Sequence, residues 1–314
     1  MLWVLGGLAI IALIAGIALQ IAISRNGPAV LNAVDRLAGG ARDSVLQATV
    51  STGDHPQQKV IIWGPAERDQ DAAPLPVLVF VHGGSWRSGD PVDYGFVGRA
   101  FVPKGFVVIL SGYRLGEDGR YPAMIEDTAS ALHWTHSEIE SYGGDPDRIV
   151  IAGHSAGAYN AVMTALEEQW LGRRGMATSD IAGVIGLSGP YDFLPLDSDS
   201  TIASFGHVDP VEATQPTSHV RGDAPEMLLI HGGKDTLVYP RNTRVLAAQL
   251  EAAGNAATPL IKPEMEHNDP LISLAAPWRS RRDLADVMAQ FAHRVTTDHA
   301  RRSKTSVPVQ EESR

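Results

Sequence analysis

The 314-residue sequence contains no cysteine. Disulfide bonds, a cysteine nucleophile and thiolate metal sites are therefore excluded, while the redox compartment stays open. Basic stripes are also absent, and the formal net charge is −10. A surface of that sign repels nucleic acid, so we expect no nucleic-acid partner. Metal-ligand spacings and phosphate-binding glycine loops are missing too, and we expect neither a metal nor a cofactor.

Charge is missing from the first segment, where residues 2–23 form a run of 22 residues without Asp, Glu, Lys or Arg. As a helix this run would be about 33 Å long, enough to cross the core of a bilayer. The sequence therefore predicts a single-pass transmembrane anchor at residues 1–24. A cleaved signal peptide is the alternative, with a small-x-small site at Ala22-Ile23-Ser24, but no basic residue precedes the run. The membrane side of the remaining chain is left open.

Residues 25–54 follow as a neck, in which Val30, Val34 and Leu37 recur at helical spacing and predict a short amphipathic helix. From residue 55 to 297, apolar runs rich in Val, Ile and Leu alternate with helical stretches. This alternation predicts an α/β domain with a mostly parallel sheet and helices on both faces. The predicted strands are Lys59–Trp63, Leu75–Val81, Phe106–Ser111, Arg148–Ala152, Ile181–Ser188, Glu226–His231 and Thr258–Lys262.

The predicted helices are Pro122–Tyr142, Ala156–Trp170, Pro240–Ala253 and Ser280–Val295. Residues 193–223, rich in Asp, Ser, Pro and Thr, interrupt the alternation and are predicted to be a short cap inserted over the carboxyl edge of the sheet. Residues 298–314 are polar and are predicted to be a disordered tail.

A serine flanked by small residues follows the predicted strand Arg148–Ala152, in Gly153-His154-Ser155-Ala156-Gly157. A sharp turn from strand to helix needs small residues on both sides, because its backbone is strained and a neighbouring chain passes close. Such a turn lifts the serine Oγ to the edge of the sheet. A serine that only caps the following helix is the alternative, and it would need no partners elsewhere. The strand-turn-helix setting favours Ser155 as a nucleophile.

Two adjacent glycines follow the predicted strand Leu75–Val81, in His82-Gly83-Gly84-Ser85-Trp86. Without Cβ atoms, this backbone can approach a ligand closely and direct N–H groups at an oxyanion. We predict an oxyanion hole from the amides of Gly83 and Gly84, or of Gly84 and Ser85, completed by the amide of Ala156. An ordinary Gly-Gly turn is the alternative interpretation.

An acid and a base are expected after the nucleophile, in the order Ser, acid, His. Asp235 comes just after a late predicted strand, where an aspartate can orient an imidazole and stabilise its cation. Asp192 is the second candidate, with the capping of a turn as its other role. Of the two histidines in the expected range, His267 lies in a polar loop and His293 in the final amphipathic helix. The sequence therefore predicts a triad of Ser155, Asp235 and His267.

Together these motifs resemble the esterase/lipase group of α/β-hydrolases, which includes hormone-sensitive-lipase-like esterases and, in the His-Gly-Gly-x-Trp form, kynurenine formamidase and related carboxylesterases. The likeness spans about residues 55–295. It rests on His82–Trp86, Tyr113–Leu115, Tyr121–Ala123, Gly144–Pro146, Gly153–Gly157, His231–Asp235 and His267.

This resemblance implies an α/β-hydrolase fold, with Ser155, Asp235 and His267 as nucleophile, acid and base, and Gly83, Gly84 and Ala156 as donors of the oxyanion amides. Ser85 stands where the lipase-type loop has a third glycine, so the pair of donating amides is left open. The short acidic cap differs from an extensive lipase lid and argues against long-chain triglycerides.

The predicted function is hydrolysis of small to medium carboxylic esters through an acyl-enzyme. An arylformamidase or other amidase is the first alternative, and a non-catalytic hydrolase-like binding protein is the second. The expected partners are a small-molecule ester or amide and, through residues 2–23, a membrane; the oligomeric state is left open. The candidates for the substrate pocket are His82, Ser85, Trp86, His154 and Tyr191.

Overall fold

The computed structural model describes residues 2–40, 43–69 and 71–305, with side chains from residue 16 to residue 302 within those ranges. An eight-stranded sheet has the order β1-β2-β4-β3-β5-β6-β7-β8. The two pairings made by β2, with β1 and with β4, are antiparallel, and those from β4 through β8 are parallel. The strands are β1 Ser44–Ser51, β2 Lys59–Pro65, β3 Leu75–Val81, β4 Val107–Ser111, β5 Gly144–His154, β6 Ile181–Leu187, β7 Glu226–Gly232 and β8 Ala257–Lys262.

Helices cover both faces of this sheet. Alternate residues of a strand point to opposite faces, so Val79 of β3 packs with side chains of the helices at residues 123–138, 156–166 and 241–252, whereas Phe80 packs with those of the helices at residues 95–101 and 284–305. The apolar character of the predicted strands reflects this burial on both sides. The helices are α1 Leu2–Leu37, α2 Gly95–Phe101, α3 Ala123–Glu138, α4 Ala156–Leu166, α5 Gln169–Gly172, α6 Asp199–Phe205, α7 Arg241–Ala252, α8 Asp269–Ile272 and α9 Leu284–Thr305. The mostly parallel α/β architecture is confirmed.

The first helix is interrupted at Asn26, whose φ of −154° and ψ of 78° are not helical. The Asn26 side chain accepts a hydrogen bond from the amide of Ala29 and so caps the second half of α1. This second half lies against the domain through Leu31 and Asp35, which are buried, while Leu37 of the predicted apolar face is 89% exposed. The predicted neck at residues 25–54 therefore contains a docked helix and also β1, an edge strand of the sheet.

The predicted anchor, residues 2–23, falls within α1, and the side chains of residues 2–15 lie outside the described part of the chain. Among the residues that the structure describes, no helix has the length and apolar character needed to cross a membrane.

The predicted cap and the predicted disordered tail both contain helical residues. In the cap, α6 ends at Phe205, which is fully buried, and two short 3-10 turns follow at Val211–Thr214 and Pro216–His219. In the tail, residues 298–305 continue α9, and His299 bonds to the carbonyl oxygens of Asp147 and Ser179. Residues 306–314 of the predicted tail lie outside the described residues.

Candidate active site

Ser155 occupies a strained turn between β5 and α4, with φ of 54° and ψ of −121°. The two flanking glycines are required by close backbone contacts: a Cβ at Gly153 would lie 2.2 Å from the carbonyl oxygen of Gly157. A Cβ at Gly157 would lie 2.1 Å from the carbonyl oxygen of Val81, at the end of β3. The Ser155 side chain makes no capping bond to α4. The interpretation of Ser155 as a helix cap is therefore wrong, and its hydroxyl faces other partners.

Those partners are the two residues predicted to complete a triad. Ser155 Oγ lies 2.9 Å from Nε2 of His267, and Nδ1 of His267 lies 2.7 Å from Oδ2 of Asp235. A carboxylate oxygen is an acceptor only, so Nδ1 carries the proton and Nε2 is free to accept the serine proton. The fold thus brings a nucleophile, a base and an orienting acid from three separate loops into one chain of hydrogen bonds.

The acid is held by four donors. Asp235 Oδ1 accepts hydrogen bonds from the amides of Leu237 and Val238 at 3.0 and 2.9 Å. Oδ2 accepts them from His267 and from Nε2 of His231, the latter at 3.1 Å. Burial opposes the charged form of Asp235, but the hydrogen bonds from His231 and His267 outweigh it and hold its pKa well below the usual range. The carboxylate is therefore ionised at any pH at which a neutral imidazole can act as a base.

The residues considered as alternatives lie elsewhere. Asp192 forms an ion pair with Arg241, with Oδ2 and Nη2 2.5 Å apart, and does not contact His267. His293 bonds to the carbonyl oxygen of Lys104 on the opposite face of the sheet. These contacts leave Asp235 and His267 as the partners that reach Ser155.

The glycine loop after β3 lies directly beside the nucleophile. A Cβ at Gly83 would lie 3.3 Å from the Cβ of Ser155, so the backbone there packs closely against the turn at residues 153–157, the nucleophile elbow. Gly84 has a φ of 122°, a value that favours glycine. Ala156 is the first residue of α4, so its amide has no acceptor within the helix. Of the three predicted oxyanion residues, Gly83 and Ala156 lie next to Ser155, and Gly84 follows in the same loop; the donating amides stay a prediction.

Two of the predicted pocket residues are buried histidines that hold loops next to the nucleophile. His82 stacks on Tyr113 with 4.5 Å between ring centroids, and its Nδ1 lies 2.7 Å from the carbonyl oxygen of Gly83. His154 directs Nε2 at the carbonyl oxygen of His267. Burial lowers the pKa of His82 to about 4 and that of His154 to about 3, so both rings are neutral N–H donors near neutral pH.

The other three candidates differ in exposure. Ser85 is exposed in the glycine loop, whereas Tyr191 is fully buried against Gly189. Trp86 is buried, and its indole N–H donates to Oδ1 of Asn160. Its ring makes edge contacts with Tyr159, one turn after the nucleophile, and with Phe205 of the cap.

The aromatic cluster formed by Trp86, Tyr159, Phe193 and Phe205 joins the glycine loop, α4 and the cap. The Tyr159 hydroxyl also donates to the carbonyl oxygen of Thr214, which ties the cap to α4. Sequence reasoning missed Tyr159, Phe193, Phe205 and His231. The spacing of Tyr159, four residues after Ser155, was an available signal because that spacing is one helical turn.

This arrangement can transfer an acyl group. An imidazole within hydrogen-bond reach of a serine can remove its proton during attack on a carbonyl carbon, and nearby amides can stabilise the resulting oxyanion. Within the described ranges, no group of three or more His, Cys, Asp or Glu side chains is placed to hold a metal ion.

Comparison with known proteins finds relatives over this same region. The model of the BD-FAE family matches residues 62–250, which include the glycine loop, the elbow and Asp235. Esterase LipQ of Mycobacterium tuberculosis is 30% identical over 263 residues, covering 75% of this chain and 62% of that protein. Esterase LipC of the same organism is 29% identical over 237 residues, covering 68% of this chain and 57% of its own. The chain therefore spans about three fifths of the length of these two relatives.

The fold is also found in solved structures. Esterase B from Lactobacillus rhamnosis superposes with a TM-score of 0.73 over 93% of this chain and 98% of its own, at 20% sequence identity. At that identity the likeness concerns the fold alone.

Proposed function

The chain belongs to the BD-FAE family, of the hormone-sensitive-lipase-like esterase/lipase type, and on that basis we propose that it is a serine carboxylesterase. The observation that carries the proposal is the continuous series of hydrogen bonds from Ser155 through His267 to Asp235, beside the glycine loop. The names of the relatives, LipC and LipQ, support an ester as the substrate.

The reaction proceeds in two halves. His267 Nε2 takes the Ser155 proton as Oγ attacks the ester carbonyl, and the oxyanion binds to amides of the glycine loop and of Ala156. Asp235 stabilises the imidazolium that forms. The tetrahedral intermediate then collapses, His267 donates its proton to the leaving alcohol, and an acyl group remains on Oγ. Water then attacks the acyl carbon while His267 takes its proton, and collapse of the second tetrahedral intermediate returns that proton to Ser155 Oγ and releases the carboxylic acid.

A small to medium acyl group fits the surroundings of Ser155 best. The cap is short, and Phe205 at its centre is fully buried against Trp86 and Tyr159. An aromatic cluster packed this closely beside the elbow limits the space for a long flexible chain. These contacts support short and medium esters over long-chain triglycerides.

The proposal is tested with the full chain purified in detergent. We expect hydrolysis of a series of nitrophenyl esters with a preference for short and medium acyl chains, and labelling of Ser155 by a fluorophosphonate probe. Ser155→Ala should abolish both, while retaining the thermal unfolding transition of the parent protein. Ester hydrolysis that survived Ser155→Ala would contradict the proposal. N-formylkynurenine in the same assay tests the alternative, and faster turnover of this amide than of any ester would favour an arylformamidase.

We also propose that residues 2–23 anchor the enzyme in a membrane, with the length and uncharged character of that run as the support. In cells, the full chain should stay in the membrane fraction after an alkaline carbonate wash, and a chain lacking residues 2–23 should leave it. Release of the full chain by carbonate would contradict an integral anchor. Protease accessibility of the domain in sealed vesicles would establish its side of the membrane.

A further inference from the structure

The acid of the proposed triad has a second histidine partner. His231 lies in β7, four residues before Asp235, and is fully buried. Its Nε2 is 3.1 Å from Oδ2 of Asp235 and 2.8 Å from the carbonyl oxygen of Val238. Its Nδ1 is 2.8 Å from the hydroxyl oxygen of Thr243 on α7. Both ring nitrogens are thus in hydrogen-bond contact. Nε2 contacts the loop at residues 235–238, the acid loop, and Nδ1 contacts α7.

These contacts fix the position of the ring proton. Nε2 faces two oxygens that can only accept hydrogen bonds, a carboxylate and a main-chain carbonyl, so Nε2 must carry a proton. Nδ1 faces a hydroxyl, which can donate to it. A neutral ring therefore satisfies every contact in one tautomer, and rotation of the ring would lose the contacts on both sides.

We propose that His231 is a positioning residue of the active site, acting on catalysis through Asp235. Oδ2 of Asp235 is the oxygen that orients His267, and it is also the oxygen that His231 contacts. With the Leu237 and Val238 amides on Oδ1, the His231 bond fixes the rotation of the carboxylate so that Oδ2 points at Nδ1 of His267. Partners of this kind fix the orientation of groups that must be placed within fractions of an ångström. The inference rests on the proposed esterase function.

The proposal differs in its consequences from a merely structural role. If His231 only fastened the acid loop to α7, its loss would lower stability and leave the chemistry of the folded enzyme unchanged. If it acts through Asp235, its loss removes one donor from Oδ2. With one hydrogen bond fewer on Oδ2, more of the negative charge of Asp235 is available to interact with His267, which favours the imidazolium. The imidazole is also held less precisely.

Two substitutions separate these roles because each keeps one half of the imidazole contacts. His231→Gln places an amide N–H near the position of Nε2 and so keeps a donor for Asp235. His231→Asn is shorter, keeps a polar group near Thr243 and loses the contact with Asp235. Both are neutral amides in the same buried position. Thermal unfolding of the two variants reports the structural cost of each, separately from catalysis.

With the full chain and a short nitrophenyl ester, we expect His231→Asn to lower kcat about 10- to 100-fold with little change in KM. We also expect the acid limb of its pH profile to move to higher pH. The groups that face His267 there are Asp235 and His154, and neither is changed by the substitution. His231→Gln should retain kcat within a few-fold and keep the acid limb in place. Equal kcat values and equal pH profiles for the Asn variant and the parent would overturn the proposal.

A spectroscopic readout keeps this test separate from the esterase proposal. We expect the proton that His267 Nδ1 donates to Asp235 to give a far-downfield resonance, which should shift or broaden in His231→Asn and persist in His231→Gln. If the parent hydrolysed no ester, the esterase proposal would fail while this comparison still decided the role of His231. An unchanged resonance in His231→Asn would overturn the positioning role itself.

Discussion

Nε2 of His154 lies 3.1 Å from the main-chain carbonyl oxygen of His267, so the residue before the nucleophile holds the loop that carries the base. His154→Phe keeps a buried ring but loses this hydrogen bond, which leaves the carbonyl oxygen without its donor. We expect kcat to fall about tenfold with little effect on KM, because the bond positions His267 and not the substrate. Steady-state kinetics on a short ester measures the change. An unaltered kcat would show that the loop is held without His154.

Acid stability depends on the same ring and on His82. Both are neutral in the folded protein, with pKa values lowered by burial to about 3 for His154 and about 4 for His82, against about 6.5 in the unfolded chain. The unfolded state therefore binds more protons as the pH falls below about 6.5. Each histidine should lower the free energy of unfolding by about 1.4 kcal/mol per pH unit between about pH 6 and pH 4.

Urea unfolding measured across that pH range gives the slope. We expect the slope to decrease by about 1.4 kcal/mol per pH unit, the contribution of one proton, in His154→Phe, since one of the two histidines whose pKa is lowered by burial is gone. His133→Gln is the matched control because His133 is exposed on α3. The same slope in His154→Phe and in the parent would rule out this origin of acid instability.

Asp235 and Asp192 follow adjacent strands, but only Asp235 contacts His267. Asp235→Asn should lower kcat about 10⁴-fold, because an amide in place of the carboxylate no longer holds the productive imidazole tautomer or stabilises its cation. Asp192→Asn removes a pair with an exposed arginine and should leave kcat within a few-fold. Kinetics of the two variants side by side tests the assignment, and a larger loss in Asp192→Asn would reverse it.

Gly157 packs directly against the end of β3. In Gly157→Ala the new Cβ would lie 2.1 Å from the Val81 carbonyl oxygen, so the backbone must move. We expect a loss of several kcal/mol in the free energy of unfolding and of nearly all activity. Gly172→Ala is the control, because a Cβ there meets nothing within 4 Å. Full activity in Gly157→Ala would mean that the elbow tolerates displacement.

The second half of α1 is joined to the domain by a buried ion pair. Arg99 Nε lies 2.6 Å from Asp35 Oδ2, with side chains 7% and 0% exposed, and Asp35 Oδ1 accepts the amide of Ala276. Arg99→Met would leave a buried charge with a weaker partner, Arg279 at 3.6 Å, and should cost about 3–5 kcal/mol. Arg294→Met, which breaks a more exposed pair with Glu226, should cost about 1 kcal/mol or less. Urea unfolding measures the loss in the free energy of unfolding of each variant. Equal losses would contradict the assignment of Asp35 and Arg99 as the stronger, buried pair.

The sequence was informative where burial on both faces left a strong pattern. Every predicted strand is present, because runs such as Leu75–Val81 must be apolar throughout when helices cover both sides. β1 was missed because it is an edge strand, where Val45 and Leu46 are exposed and the apolar signal is weak. Its residues were therefore assigned to the neck.

At the site, chain order and turn chemistry were enough to anticipate the contact of Ser155, Asp235 and His267. The direction of a side chain was not available in the same way. His154 adjoins the nucleophile in sequence, yet it points behind the site, because consecutive residues at a sharp turn face different sides. The role of Phe205 depends on its contact with Trp86, which forms only when the cap folds over the glycine loop. No local sequence pattern predicts a contact between residues so far apart in the chain.

The docking of α1 also has a mechanical consequence. A flexible linker would leave the catalytic domain free to rotate about its attachment, whereas here residues 27–37 are held against the domain by a hydrogen bond from Arg99 to Asn32 and by the buried pair of Arg99 with Asp35. The non-helical residue Asn26 is where the described backbone could bend, and a hydrogen bond from its side-chain Nδ2 to Oδ2 of Asp93 restrains it there. These contacts thus limit how far the active site can rotate relative to the part of α1 that precedes Asn26.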